Sequence, residues 1–202
     1  LFIFETNQWK SHSDKVIKSI QNKFKDKIVI RSSSAMEDGM FTSNAGLYDS
    51  VLNVNVNSSS EIKDAVDQVI SSYKKNNSNM DNEQILVQSQ TKNVAFSGVL
   101  FTRDIQGNAP YYVINYDDSS QTDTVTSGVV DKNIKLIRNI ANDKIPHSWN
   151  KLIDAVKEIE SLLEDLALDI EFAINNKGKI IIFQVRPLAA VERFITVKDE
   201  KI

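Results

Sequence analysis

The chain has 202 residues, 41% hydrophobic and 25% charged, enough for one large domain or two small lobes with a real core. A formal net charge of −3 supplies no basic field for non-specific nucleic-acid binding, and no apolar run nears the roughly 20 residues of a bilayer span. With no cysteine, disulfides, thiolate zinc sites and cysteine nucleophiles are excluded, which fits a reducing cytoplasm.

Leu1–Thr6 is strand-like, and too short and too poor in basic residues to be a signal peptide. With Leu1 first and a strand at once, a piece of a longer protein is expected. Apolar positions at Val16, Ile17, Ile20 and Phe24 predict a helix over Ser13–Phe24. Lys27–Arg31 is an apolar, β-branched strand running into Ser32-Ser33-Ser34. Tyr48–Val56 alternates Val51, Asn53 and Asn55 against Leu52, Val54 and Val56, as a half-buried strand does. Asn57–Ser60 supplies N-caps for a helix through Tyr73, whose stripe is Ile62, Ala65, Val66, Val69, Ile70 and Tyr73.

After a polar loop at Lys74–Asn82, strands are expected at Gln84–Gln90, Val94–Arg103, Tyr111–Tyr116, Thr124–Val130 and Asn133–Arg138. A helix over about Ser148–Leu168 carries Leu152, Ala155, Val156, Ile159, Leu162, Leu163 and Leu166 on one face. Two strands around a turn at Asn175-Asn176-Lys177-Gly178 close the pattern. Few helices among many strands argue an α+β fold of mostly antiparallel sheets. There is no internal repeat and no Rossmann or P-loop glycine fingerprint. His12 and His147 are far apart with no partner pattern, and His147, after Pro146, reads as a surface residue.

The terminal hairpin carries the densest chemistry. Alternation puts Asp169 and Glu171 on one face, as it does Gln184 and Arg186, with Ile170, Phe172, Ile181 and Phe183 expected in a core. Carboxylate and amide oxygens suit Mg²⁺, and a guanidinium suits phosphate. The plain alternative is a cross-strand Glu171–Arg186 ion pair at a sheet edge.

Arg31-Ser32-Ser33-Ser34 leaves a strand end with a guanidinium, hydroxyls and backbone N–H groups, an anion cradle or simply a Ser-rich turn. Ser43-Asn44-Ala45-Gly46 is small enough for close approach of a backbone to a ligand. Ile85-Leu86-Val87-Gln88 can face a purine or be plain core. Gly98, inside an apolar strand, marks a bulge or the close approach of another group.

Taken in order, these segments (Arg-Ser-Ser … Glu-Asp; Ser-x-Ala-Gly; Val-Gln; Ser-Gly-Val-x-Phe-Thr-Arg-Asp; Thr-Ser-Gly; Asp-Ile-Glu-Phe-Ala; Phe-Gln-x-Arg-Pro) carry a family resemblance. From about Ile28 to Leu188 the chain resembles the nucleotide-binding domain of phosphoenolpyruvate synthases and pyruvate phosphate dikinases. The resemblance implies an ATP-grasp-type fold over residues 1–202, with an incomplete N-terminal lobe. It implies Arg31 on the ATP phosphates, Ser43, Ala45 and Gly46 over them, and Val87, Gln88 and Ser89 as the adenine-edge hinge. Glu171 and Gln184 become the Mg²⁺ ligands, Asp169 their support, and Arg186 a second phosphate contact; Arg31, Glu171 and Arg186 are the implied catalytic residues.

The implied activity is an AMP-forming, ATP-dependent dikinase. It moves a phosphoryl group from Mg·ATP to a phosphocarrier histidine on another domain, and then to a small acceptor such as pyruvate. Three departures qualify the match. Tyr116–Asp123 replaces the family's Trp-Gly-Leu-Gly-Glu-like turn, which suggests the polysaccharide-cluster branch that includes glutamine kinases, with an amide acceptor. A Gly-Gly-Lys-Gly segment and a Thr-x-His motif are both missing from these 202 residues. The isolated chain is therefore expected not to turn over by itself. A non-catalytic ATP-binding scaffold and an ADP-forming ligase are the competing readings.

Overall fold

The structure is a computed structural model that describes residues 1–33, 38–39, 42–43, 49–75, 83–118, 132–164 and 166–188. It divides into two compact units, Leu1–Thr91 and Lys92–Ile202. The architecture is α+β: antiparallel sheets with packed helices. No helix among the described residues is long and apolar enough to cross a membrane.

The first unit runs β1 (Phe2–Glu5), α1 (Thr6–Lys23), β2 (Lys27–Ser33), β3 (Asp38–Gly39), β4 (Thr42–Ser43), β5 (Ser50–Asn55), α2 (Ser59–Lys75) and β6 (Gln84–Ser89). Its main sheet has the order β1-β6-β2-β5, and β3 pairs with β4 separately. Ile28, Ile30, Ile85 and Val87 on one sheet face pack with the stripes of α1 and α2, including Ile20, Ile62, Val66 and Val69. Ser58 caps α2, its Oγ accepting the Glu61 N–H at 3.2 Å.

Two expectations need correction here. Helix α1 begins at Thr6, not Ser13. His12 has φ −146° and ψ 43°, a kink that breaks the 3.6-residue period. Across the kink, Trp9 is buried and its Nε1 donates to Asp67 Oδ1 at 2.9 Å, a tertiary tie that local periodicity does not show. In β5 the simple alternation fails. Ile28 pairs with Val54 and Ile30 with Val51, so a bulge puts both valines on the core side. Asn53, at φ 61°, takes the left-handed turn, which asparagine tolerates better than most residues.

The second unit runs β7 (Val94–Phe101), β8 (Tyr111–Asp117), β9 (Lys132–Ile137), a 3₁₀ turn (Asn142–Lys144), α3 (His147–Leu162), β10 (Leu168–Asn175) and β11 (Ile180–Pro187). Its sheet order is β11-β10-β7-β8-β9, every pair antiparallel. The strand expected at Thr124–Val130 lies outside the described residues.

Trp149, Leu152, Ile153 and Val156 of α3 pack on Leu100, Ile114, Ile170 and Phe172. The helix stops at Leu162 and does not reach Leu168. Glu164 turns the chain at φ 55°, so Leu162, Leu163 and Leu166 are exposed instead of extending the apolar face. Beyond the turn, Thr102 fixes the start of β10. Its Oγ1 accepts the Leu168 N–H at 2.8 Å, and its own N–H donates to the Leu168 carbonyl at 2.9 Å.

A buried polar knot holds α3 to the sheet. Tyr112 Oη donates to Glu160 Oε2 at 2.9 Å, and Arg138 Nη1 donates to Glu160 Oε1 at 2.6 Å. The Arg138 guanidinium also lies 4.8 Å from the Tyr112 ring centroid. Tyr112→Phe removes one hydrogen bond to a buried carboxylate while leaving Arg138 paired. The expected loss is about 2 kcal/mol, read from the urea unfolding midpoint. An unchanged midpoint would show that the hydroxyl contributes nothing.

Candidate functional site

The β10–β11 hairpin turns on Asn175, whose Oδ1 accepts the N–H groups of Lys177 and Lys179, both at 2.9 Å. Gly178 completes the turn at φ 70°, a conformation that favours glycine. The register sets Asp169 opposite Arg186 and Glu171 opposite Gln184, so four polar side chains occupy neighbouring positions on one sheet face. On the other face Leu168, Ile170, Phe172 and Ile174 are buried in the core.

Phe172 pairs with Ile182, not with Phe183, so a bulge at Phe183 follows the Glu171–Gln184 pair. One extra residue reverses the faces beyond it. Ile180, Ile182 and Val185 therefore pack on the core, where the alternation had put Ile181 and Phe183.

The ion pair in this hairpin is Asp169–Arg186, not Glu171–Arg186. Arg186 Nε and Nη2 both reach Asp169 Oδ2, at 2.8 and 2.6 Å. The side chains are 8% and 14% exposed, so the contact is made largely out of water. Burial pushes the Asp169 carboxyl above its ordinary pKa, and Arg186 offsets that rise only in part. The other oxygen, Asp169 Oδ1, is buried with no hydrogen-bond partner among the described residues.

That orphaned oxygen bears on whether the hairpin suits a cation. Asp169, Glu171 and Gln184 are hard oxygen donors of the kind Mg²⁺ takes. No group of three or more His, Asp or Glu among the described residues is placed to hold a metal. A complete protein cage is thus not built. One or two carboxylates with substrate phosphates are the usual Mg²⁺ arrangement, and the donor set fits it.

The remaining sequence candidates fall in the first unit. Arg31 is half-buried on β2, between Ser50 of β5 and Leu86 of β6, on the sheet face opposite Ile30. Gln88 is half-buried and Ser89 exposed. The Val87 side chain is fully buried in the helix-side core, so only its backbone is suited to an adenine edge. The pairing of β1 with β6 runs from Phe2–Val87 to Glu5–Gln84, short of Gln88 and Ser89. Ser43 is described only as a backbone position in β4, and Ala45 and Gly46 lie outside the described residues. So do residues 119–123 of the altered loop.

Sequence reasoning did not single out Asp104 as a structural residue. Its carboxylate accepts the Gly107 N–H at 3.1 Å and pairs with Lys135 at 2.9 Å, shaping the β7–β8 connection. The signal was an Asp three residues before a Gly, an Asx-type turn.

Comparison with known proteins places this framework. The model of the pyruvate phosphate dikinase AMP/ATP-binding domain matches residues 6–133. The chain belongs to that family. The dikinase-type ATP-binding domain is also similar in fold to two archaeal structures. One is the Ca. Korarchaeum cryptofilum dinucleotide forming acetyl-coenzyme A synthetase 1, in complex with coenzyme A, Ca-AMPCP and HgCl⁺. They share 15% identity and a TM-score of 0.56, over 93% of this chain and 84% of that one. The second is PH1788 from Pyrococcus horikoshii Ot3, with 13% identity and a TM-score of 0.56, over 87% of this chain and 79% of that one. These likenesses bear on fold alone, which is of the ATP-grasp type. No curated protein gives a significant match.

Proposed function

We propose that this ATP-binding domain takes Mg·ATP and passes a phosphoryl group to a histidine on another domain, in a cycle that releases AMP and phosphate. The observation that carries the reading is the Asp169–Arg186 pair set beside Glu171 and Gln184, with one buried carboxylate oxygen left over. Family membership supplies the nucleotide.

Phosphoryl transfer asks little covalent chemistry of a protein. It asks for positioning and for cations where phosphate charge develops. Asp169 holds Arg186 in one orientation through two hydrogen bonds to the same oxygen, so the guanidinium is arranged before phosphate arrives. Glu171 and Gln184 would hold Mg²⁺, with Asp169 supporting them. A bound ion would supply positive charge against the phosphates there. On the family resemblance, Arg31 would bind phosphate and Ser43, Ala45 and Gly46 would cover it. The backbone of Val87, Gln88 and Ser89 would meet the adenine edge. The final acceptor is pyruvate or, on the strength of the altered Tyr116–Asp123 turn, an amide such as glutamine. ATP as substrate goes with a cytoplasmic setting.

Calorimetric titration with Mg·ATP tests the reading. Arg31→Ala and Glu171→Ala should each weaken binding roughly 10- to 100-fold, as expected for loss of a hydrogen bond to a charged group. The Glu171→Ala loss should vanish when Mg²⁺ is omitted. Unchanged affinity in both variants would remove the site assignment.

A further inference from the structure

Helix α2 ends on a buried polar pair whose bonds leave the helix. Tyr73 is fully buried, and its hydroxyl accepts the Ser33 N–H at 3.0 Å and donates to the Gln84 carbonyl. Ser33 and Gln84 face each other in the β2–β6 register, so one hydroxyl bridges the last pair of the two strands. Ser72, 3% exposed, donates to the Val69 carbonyl at 2.7 Å and accepts the Asp49 N–H at 3.2 Å. Asp49 immediately precedes β5, and its carbonyl accepts the Ser32 N–H at 3.4 Å. Gln68, one turn earlier on α2, donates to Asp49 Oδ2 at 3.3 Å. The last turns of one helix therefore fix three strand ends: β2 at Ser33, β6 at Gln84, and β5 at Asp49.

Arg31 sits inside that frame. Its register row is Ser50–Arg31–Leu86, with Ser50 adjoining Asp49 and Leu86 two positions from Gln84. Arg31 lies on the sheet face away from α2, and the bonds of Tyr73 and Ser72 to Ser33, Gln84 and Asp49 reach it through the strand backbone. Tyr73 belongs to the apolar core cluster of the first unit, which its ring joins with or without the hydroxyl. What the hydroxyl adds is a side-chain bridge across the last pair of β2 and β6.

We propose that Tyr73 and Ser72 are positioning residues for nucleotide-phosphate binding by Arg31, an inference that rests on the Mg·ATP reading above. A guanidinium binds phosphate through a directional fork, and a displacement of about 1 Å in a positioned group can cost 10²-fold.

The test is a double-mutant cycle on Mg·ATP affinity in the 202-residue chain. It uses Arg31→Ala, Tyr73→Phe and the double variant, at a temperature where circular dichroism shows all three folded. Tyr73→Phe should weaken binding about tenfold in the wild-type background. In the Arg31→Ala background it should weaken binding by under about twofold, because the residue it positions is gone. A role in stability alone lowers the melting temperature and leaves affinity unmoved, and that result overturns the inference. The same loss in both backgrounds also overturns it. Should Tyr73→Phe fail to fold, Ser72→Ala takes its place in the cycle, with the same outcomes deciding. A wild-type chain that binds no Mg·ATP removes this inference together with the functional reading. Binding that Arg31→Ala weakens and Tyr73→Phe and Ser72→Ala leave alone removes only this inference.

Discussion

Replacing Arg186 with alanine is expected to destabilise the second unit by about 3–5 kcal/mol at neutral pH, because it strands a buried carboxylate. Asp169 already has one oxygen without a partner, and the other receives both of its hydrogen bonds from Arg186. The loss should depend on pH in a definite direction. Burial raises the folded pKa of Asp169, so between the unfolded and folded values the folded state holds the proton more tightly. Stability contributed by this group therefore falls as pH rises through that window. Arg186 is what limits the rise, so Arg186→Ala widens the window upward.

In urea titrations with a chelator present, the deficit of Arg186→Ala against wild type should be large near about pH 7.5 and shrink toward about pH 5. The double variant Asp169→Asn/Arg186→Ala, with no buried charge to strand, should recover part of the loss. A deficit independent of pH, with no recovery in the double variant, would show that the pair is not what Arg186 contributes. For ligand binding, the consequence is that Arg186→Ala confounds affinity with stability, so Arg31 and Glu171 are the cleaner probes.

Gly98→Ala should cost about 3 kcal/mol or more, at the upper end of what overpacking does. A Cβ at this position would lie 2.1 Å from the Asn115 carbonyl oxygen and 2.9 Å from the Tyr116 Cα. Both are backbone atoms of the neighbouring strand β8, so no rotamer relieves the clash and the β7–β8 ladder itself must part. Gly98 shows no register shift in either pairing, so it marks close approach and not a bulge. Its partners across the sheet are Phe172 and Tyr116, whose rings pack edge-on against Trp149. Loss of near-ultraviolet dichroism and a lowered unfolding midpoint would report the damage. A variant that unfolds at the wild-type midpoint would contradict the close approach.

The placement of Asp169, Glu171, Gln184 and Arg186 on one face is legible in the sequence, because a period of two holds wherever no residue is inserted between paired positions. The same rule failed at Ile181 and Phe183 because the bulge comes directly after Glu171–Gln184, and local sequence does not mark it. It failed again at Asn53, where an asparagine took the left-handed turn that a glycine would have announced. Helix α1 starts seven residues before the predicted Ser13 because the kink at His12 interrupts its period, and the Trp9–Asp67 bond that holds the first turns spans 58 residues. Leu162, Leu163 and Leu166 continue a helical stripe on paper, but the chain turns at Glu164 and exposes them.

The sequence alone determined the α+β class, most of the strands, the apolar faces of α2 and the front of α3, and the family of the chain. Those rest on side-chain period and motif order, which are local. Only the tertiary structure decided which acid pairs with Arg186, that an oxygen of Asp169 is left over, and that Tyr73 and Ser72 bind strand ends instead of merely filling a core. Each of those depends on a distance between residues remote in the chain, and a pattern of spacing carries no record of such distances.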